Sequence, residues 1–291
     1  MNKKYKLKGH ESFVLRDGWL TKGIQAVLKD PKLFTVNAGA DALGVGTNMA
    51  KSIRYWLNAG MLITDSPAKG VFLSEIGKII HDNDLYCEDV FTLWIIHSII
   101  ARNFEKATSW NLFFNAMNVT SGFTRDEMVG MMKELIIEHT GEQEPSERSI
   151  RDDCSAILSM YSPSVSTEDP EEKRNSPFEV LGLISRSGNR FTKKRPMIDK
   201  IDPLVFMFLI VDSLNENGSL QIDQITDGYN MPGKILNMNR IAVNSFLDIL
   251  HNRKYITVNR TAGLDIVYPN SCQTMSSTDV LQEYYGRSSR S

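Results

Sequence analysis

His10 and Glu11, with Arg16 close behind, are the polar group of this 291-residue chain whose types best suit phosphoester chemistry. An imidazole beside a carboxylate can activate a water, and a guanidinium can hold a phosphate oxygen. A structural reading competes: the same residues can pin an N-terminal arm to a domain through hydrogen bonds and an ion pair. Two other groups carry less. Asp169, Glu171 and Lys173 have a D…ExK flavour but fall in a loop without strands to aim them. His81-Asp82-Asn83-Asp84 could seed a metal site, yet at a helix end such residues serve as caps and solvated charge. No P-loop follows Gly44 and Gly46, and neither GxSxG nor HExxH occurs. Cys87, Cys154 and Cys272 are far apart and make no zinc or disulfide spacing, which suits a reducing cytoplasm.

The elements that must position these groups are mostly helical. Asp41 to Trp56 reads as a short helix, a glycine turn at Gly44 to Gly46, and a second helix opened by a polar cap and closed at Gly60. In a helix-turn-helix that second helix lies in a DNA major groove, so Asn48, Lys51, Arg54 and Tyr55 become candidate DNA contacts. Met61 to Thr64 and Val71 to Leu73 predict two short strands around a polar turn carrying Lys69, the wing of a winged helix. Thr124 to Glu127 fits a capping box, and the helix pair that follows offers Arg148 and Arg151, either as a second helix-turn-helix or as a plain helical pair. The stretch from Ser185 to Lys200 brings Arg190, Lys193, Lys194 and Arg195, as a hairpin or loop able to follow a phosphate backbone. From Gln221 to Tyr268 the scheme recurs as helix, turn, helix and two strands, with Arg260 near the tip.

These elements predict a mainly α fold with small β wings, built from tandem winged-helix or helix-turn-helix domains. The expected division is a winged helix over 1–104, a central helical domain over 105–165, a linker and basic loop over 166–200, a winged-helix-like domain over 201–270, and a mobile tail over 271–291. The net charge of −2 does not announce a nucleic-acid binder, but its distribution is uneven. Ten Lys or Arg stand against four Asp or Glu through residue 60, and six basic residues against one acid from Arg186 to Lys200. Such segregation allows a basic face on a near-neutral protein. The apolar runs around Trp94 to Ile100 and Leu204 to Val211 are too short to span a membrane, and the Lys-rich start has no signal-peptide apolar region.

Gly9-His10-Glu11-Ser12-Phe13 with Leu15-Arg16-Asp17-Gly18-Trp19-Leu20 resembles the opening of the domain-of-unknown-function 4007 family. Leu43-Gly44-Val45-Gly46-Thr47-Asn48-Met49 with Ser52-Ile53-Arg54-Tyr55-Trp56 is similar to its most distinctive block, and fainter echoes run on to Thr261-Ala262-Gly263-Leu264. A Cys-Pro often precedes that family's Leu-Gly-Leu block; Ser176-Pro177 stands here, so no role for that cysteine carries over. The resemblance implies bacterial DNA phosphorothioation and phage defence, with the chain as a nickase that opens one strand for sulfur insertion. Implied partners are DNA, a cysteine desulfurase, an ATPase and a phosphosulfate-reductase-like protein; Mg or Mn is the expected ion. It further implies His10, Glu11 and Arg16 at the strand-breaking site, and Ser52, Arg54 and Tyr55 against DNA. Two alternatives remain: a non-catalytic recognition subunit of the same system, and a transcriptional regulator.

Overall fold

The computed structural model describes residues 4–119, 121–163, 176–270 and 275–288. Asp169, Glu171, Lys173 and Cys272 lie outside them. The chain divides into two units, Met1–Lys194 and Arg195–Ser291, each mainly helical with small antiparallel sheets.

The first unit opens with α1 (Trp19–Lys29), α2 (Ala40–Leu43), α3 (Thr47–Ala59), β1 (Ile63–Ser66), β2 (Gly70–Leu73), α4 (Glu75–Asn83) and α5 (Val90–Arg102). In α3 the buried Ala50, Ile53, Trp56 and Leu57 recur at helical spacing and pack on α1, which leaves Asn48 and Lys51 exposed. The expected polar cap is not used. Gly46 occupies the N-cap without a side-chain bond, and the Thr47 hydroxyl instead donates to Asn37 Oδ1 at 2.8 Å. The strands of the β1–β2 hairpin pair from Ile63↔Leu73 to Ser66↔Gly70, so Lys69 sits in the turn. Gly70 has φ 98°, and a Cβ there would lie 2.3 Å from the Pro31 carbonyl oxygen that accepts the Val71 N–H. Only glycine lets the hairpin dock this closely. Helix α5 is buried almost end to end, and its His97 Nδ1 shares a 2.9 Å hydrogen bond with the Tyr161 hydroxyl. That histidine is a satisfied core residue.

The first unit continues through α6 (Thr108–Asn115), β3 (Phe123–Thr124), α7 (Arg125–Thr140), α8 (Glu147–Tyr161), β4 (Ile184–Ser187) and β5 (Arg190–Lys193). The capping box forms: Thr124 Oγ1 accepts the Glu127 N–H and Glu127 Oε2 accepts the Thr124 N–H. The expected linker and basic loop over 166–200 differs from what is found. Residues 184–193 make the β4–β5 hairpin, and β5 pairs with β3 in the order β3-β5-β4, Phe123 opposite Phe191. Phe191 is buried, and that anchor draws the basic segment into the first unit. The division between units falls after Lys194, near the end of the span expected to be linker and basic loop.

The second unit contains α9 (Pro203–Asn217), β6 (Leu220–Gln221), α10 (Ile222–Asp227), α11 (Pro232–Ile235), α12 (Arg240–Asn252), β7 (Ile256–Asn259), β8 (Ile266–Pro269) and α13 (Ser277–Ser288). Its sheet order β6-β8-β7 matches β3-β5-β4, with helices in corresponding places. Phe206 of α9 stacks on Phe246 of α12 at 5.3 Å in its core. The expected mobile tail is instead largely α13, whose buried Val280, Leu281 and Tyr285 pack on α9. Ser276 Oγ accepts the Asp279 N–H at 3.2 Å and Asp279 Oδ2 accepts the Ser276 N–H at 2.8 Å, a reciprocal cap that starts this helix. Among the described residues no helix is long and apolar enough to cross a membrane.

Candidate nucleic-acid interface

The N-terminal arm runs against α3, α6 and α8 within the first unit. His10 is 0% exposed, and its Nε2 donates to Asp153 Oδ1 of α8 at 2.9 Å. A carboxylate can only accept, which sets that tautomer. Asp153 also accepts from the Ser109 hydroxyl at 2.6 Å and from the Lys8 backbone N–H at 2.9 Å. The rings of Tyr55, Trp56 and Trp110 surround the imidazole, with centroids 5.6–6.2 Å away. Burial, then the Asp153 charge, holds the Tyr55 hydroxyl well above its ordinary pKa. Lys8, Glu11 and Ser12 all adopt positive φ, a conformation that non-glycine residues keep only where their surroundings impose it. Here the arm is held on α8 by the His10–Asp153 bond, by the Lys8 N–H to Asp153 and by the Ser12 hydroxyl to Asp152.

The three residues expected at a strand-breaking site are therefore not together. His10 is sealed in the core. Arg16 lies over the Phe13 and Trp19 rings and lines a cleft of about 750 Å³ with Asp17, Lys22 and Tyr86. Glu11 lines another cleft, of about 420 Å³, which shares no lining residue with the first. Burial raises the Asp17 carboxyl above its usual range. Burial also pushes the Cys87 thiol up to about 12 and the Cys154 thiol higher still, so neither offers a thiolate near neutral pH.

The smaller cleft gathers charge beside α3. Lys6, Gly9 and Glu11 of the arm, Lys51, Arg54, Tyr55 and Asn58 of α3, Asp65 of β1, and Lys106 line it together with Ala38. Arg54 lies over the Phe34 ring and donates to Asp65 Oδ1 at 2.7 Å, which fixes its direction. Lys6 and Lys106 carry no signal in a helix-turn-helix pattern; only the fold brings them to α3.

The other expected DNA contacts divide into exposed and inward-facing or ion-paired groups. Asn48, Lys51, Lys69, Arg148, Lys194 and Arg195 are exposed. Ser52 is fully buried, and its hydroxyl donates to the Phe13 carbonyl at 3.2 Å, so it ties the arm to α3 and presents nothing outward. Tyr55 is 7% exposed and serves as a cleft wall. Lys193 caps the end of α6: its ammonium donates to the Phe113 and Met117 carbonyls and sits 4.4 Å from the Phe113 ring centroid. Arg151 pairs with Asp126 at 2.5 Å and with Glu147 at 3.5 Å. Arg190 donates to the Gly122 carbonyl and lies 4.0 Å from Glu127. Arg260 donates to Asp248 at 2.7 Å and to Asn244 at 2.9 Å.

A model of the DUF4007 family, a protein family of unknown function, matches residues 7–285. The chain belongs to the DUF4007 family. Two solved structures share its fold: an SspB crystal structure (TM-score 0.84) and a magnesium-ion-bound SspB crystal structure (TM-score 0.83). Each is 22% identical to this chain, and each alignment covers 97% of this chain and 88% of the other. No curated protein matches. The Leu43 to Trp56 block runs from the end of α2 through the glycine turn into α3, the helix that borders the basic cleft. Ser176, where that family often has cysteine, is buried, and its hydroxyl accepts the Phe178 N–H at 3.4 Å to cap a short 3-10 helix, Pro177–Leu181.

Magnesium requires oxygen donors, usually one or two carboxylates with waters and phosphate. Among the described residues no three His, Cys, Asp or Glu side chains converge. Within the basic cleft Asp65 is engaged by Arg54, and the remaining ring nitrogen of His10 is enclosed by aromatic rings. Among the described residues these donors do not make up a metal centre.

Proposed function

We propose that this protein is a DNA-binding component of a bacterial DNA phosphorothioation and phage-defence system. The likeness to SspB supports the pathway. The observation that carries the DNA-binding role is α3, a second helix after a glycine turn that holds exposed Asn48 and Lys51 with Arg54 beside a basic cleft. In this reading the β1–β2 hairpin is a wing with Lys69 at its tip, and the two three-stranded segments are further winged helices. Exposed Arg148 of the first unit and, separately, Arg195 of the second are further candidate phosphate contacts. A cysteine desulfurase, an ATPase and a phosphosulfate-reductase-like protein are the partners this pathway implies.

Phosphate contacts release counterions, so affinity falls steeply with salt and each lost contact flattens that slope by about one. Lys51→Ala is expected to weaken duplex binding and to flatten its salt dependence, and Arg54→Ala to do so less, because Asp65 already pairs with that guanidinium. Salt-independent binding, or none to any duplex, contradicts the role.

A second reading is favoured by Glu11, a carboxylate facing the same cleft, and by the magnesium-bound SspB relative: the chain nicks one strand. Purified protein with Mg²⁺ or Mn²⁺ should then convert supercoiled plasmid to open circle, and Glu11→Gln should abolish this while binding persists. Intact plasmid across a series of divalent ions at high protein rules this reading out and leaves the non-catalytic recognition subunit.

A further inference from the structure

We infer that the 420 Å³ cleft beside α3 binds a terminal phosphomonoester, either the end of a broken DNA strand or a mononucleotide. Its biology rests on the DNA-binding reading above, but its chemistry stands on three features of the cleft.

The first is charge. Four cations, Lys6, Lys51, Arg54 and Lys106, face two carboxylates, Glu11 and Asp65. Asp65 is engaged by Arg54 at 2.7 Å. Three lysines are left against Glu11, a surplus of two positive charges. A backbone diester brings one negative charge, whereas a terminal monoester brings close to two at neutral pH.

The second is how the lysines are held. Lys106 Nζ donates to Asn58 Oδ1 at 3.3 Å, and Lys6 Nζ lies 5.9 Å from the Tyr55 ring centroid. An amide oxygen and an aromatic face orient an ammonium without neutralising it. Among the described residues Lys51 has no carboxylate partner. The charge is thus placed and left unanswered by the protein.

The third is shape. Gly9 lies so close to Tyr55 that a Cβ would come within 2.3 Å of the ring, so arm and helix make a continuous wall. A cleft of this volume is of the size that takes a small ligand and cannot admit a duplex. A strand end or a single nucleotide fits where an intact double helix lies across the rim. Glu11 then offers an acceptor for a sugar hydroxyl or a base amino group.

The experiment uses the full-length protein and fluorescence anisotropy with nicked duplexes carrying phosphate on the 5′ side of the nick, on the 3′ side, or on neither. Calorimetric titrations with deoxyadenosine monophosphate and with deoxyadenosine run in parallel. A terminal phosphate is expected to tighten binding about tenfold, the worth of a charged hydrogen bond. Lys106→Ala and Lys6→Ala, both at exposed positions, should erase that increment, so that each variant binds nicked duplex equally with and without the terminal phosphate. An increment on one nicked duplex identifies a strand end as the occupant. Binding of the monophosphate but not the nucleoside, sensitive to Lys106→Ala and without a nick increment, identifies a mononucleotide. If neither increment nor monophosphate binding depends on Lys106, the inference is wrong. Monophosphate binding without any duplex binding would overturn the DNA-binding reading and leave the cleft standing.

Discussion

Helices α3 and α12 occupy corresponding places, each ahead of an antiparallel strand pair, yet they present opposite chemistry. On α3, Arg54 is paired with Asp65 at 2.7 Å, but Lys51 stands in a cleft with Lys6 and Lys106 and has no carboxylate partner among the described residues. On α12, Arg240 pairs with Asp223 and with Asp265 at 2.5 Å, and Arg260 from the following turn is held by Asp248 at 2.7 Å. The outward side of α12 also carries Ile241, 76% exposed. On the proposed DNA-binding reading, element order alone does not make a DNA reader. What decides is whether the cations on the presented helix are already answered by the protein's own carboxylates.

The largest effect expected from testing this contrast is on folding. The first unit holds its arm through buried His10, Asp153 and Ser109, whereas Thr226 is the buried polar side chain among the described residues of the second. Asp153→Ala leaves His10 and Ser109 without their acceptor and should cost about 3 kcal/mol. Thr226→Val, which loses a bond to the Ile222 carbonyl, should cost about 1 kcal/mol. Urea unfolding of both variants checks this, and equal losses would remove the structural distinction.

Next in size is binding. Lys51→Ala should lower duplex affinity about tenfold, against less than about twofold for the carboxylate-paired Arg54→Ala and Arg260→Ala. A smaller change runs the other way. Asp248→Ala releases Arg260 and should raise affinity about threefold at low salt, an effect that screening removes at high salt. Anisotropy at two salt concentrations reads both.

The smallest effect appears in acid, and both units share it. The Thr124 N–H bond holds the Glu127 carboxyl below its usual range, and the Ser276 N–H does the same for Asp279. A depressed carboxyl pKa contributes stability above the unfolded value, and that contribution fades as pH falls through the folded one. Glu127→Gln and Asp279→Asn should each shallow the acid limb of a circular-dichroism pH titration slightly, and wild-type limbs would mean the caps contribute nothing.

Much of the helical framework was legible because it is local. The apolar spacing of α3, Gly60 at its end and the Thr124–Glu127 box are short-range signals, and each lies where the pattern puts it. The Ser276–Asp279 cap was equally local but is hidden by the serine-rich composition around it. What sequence spacing could not carry is long-range. The pairing of Phe123 with Phe191 joins strands distant in the chain, and nothing near Lys193 marks it as a plug for α6. His10, Glu11 and Arg16 look like one group in sequence. The arm's turns send one into the core and the other two into separate clefts.

The central claim is that α3 holds DNA and α12 does not. Its most direct test is the slope of log affinity against log salt for one duplex, measured for wild type, Lys51→Ala with Arg54→Ala, and Arg240→Ala with Arg260→Ala. The account predicts a slope lower by about one in the first double variant, carried by Lys51 because Asp65 already pairs with Arg54, and unchanged in the second. An unchanged slope on losing Lys51 and Arg54, with a lower one on losing Arg240 and Arg260, would contradict it.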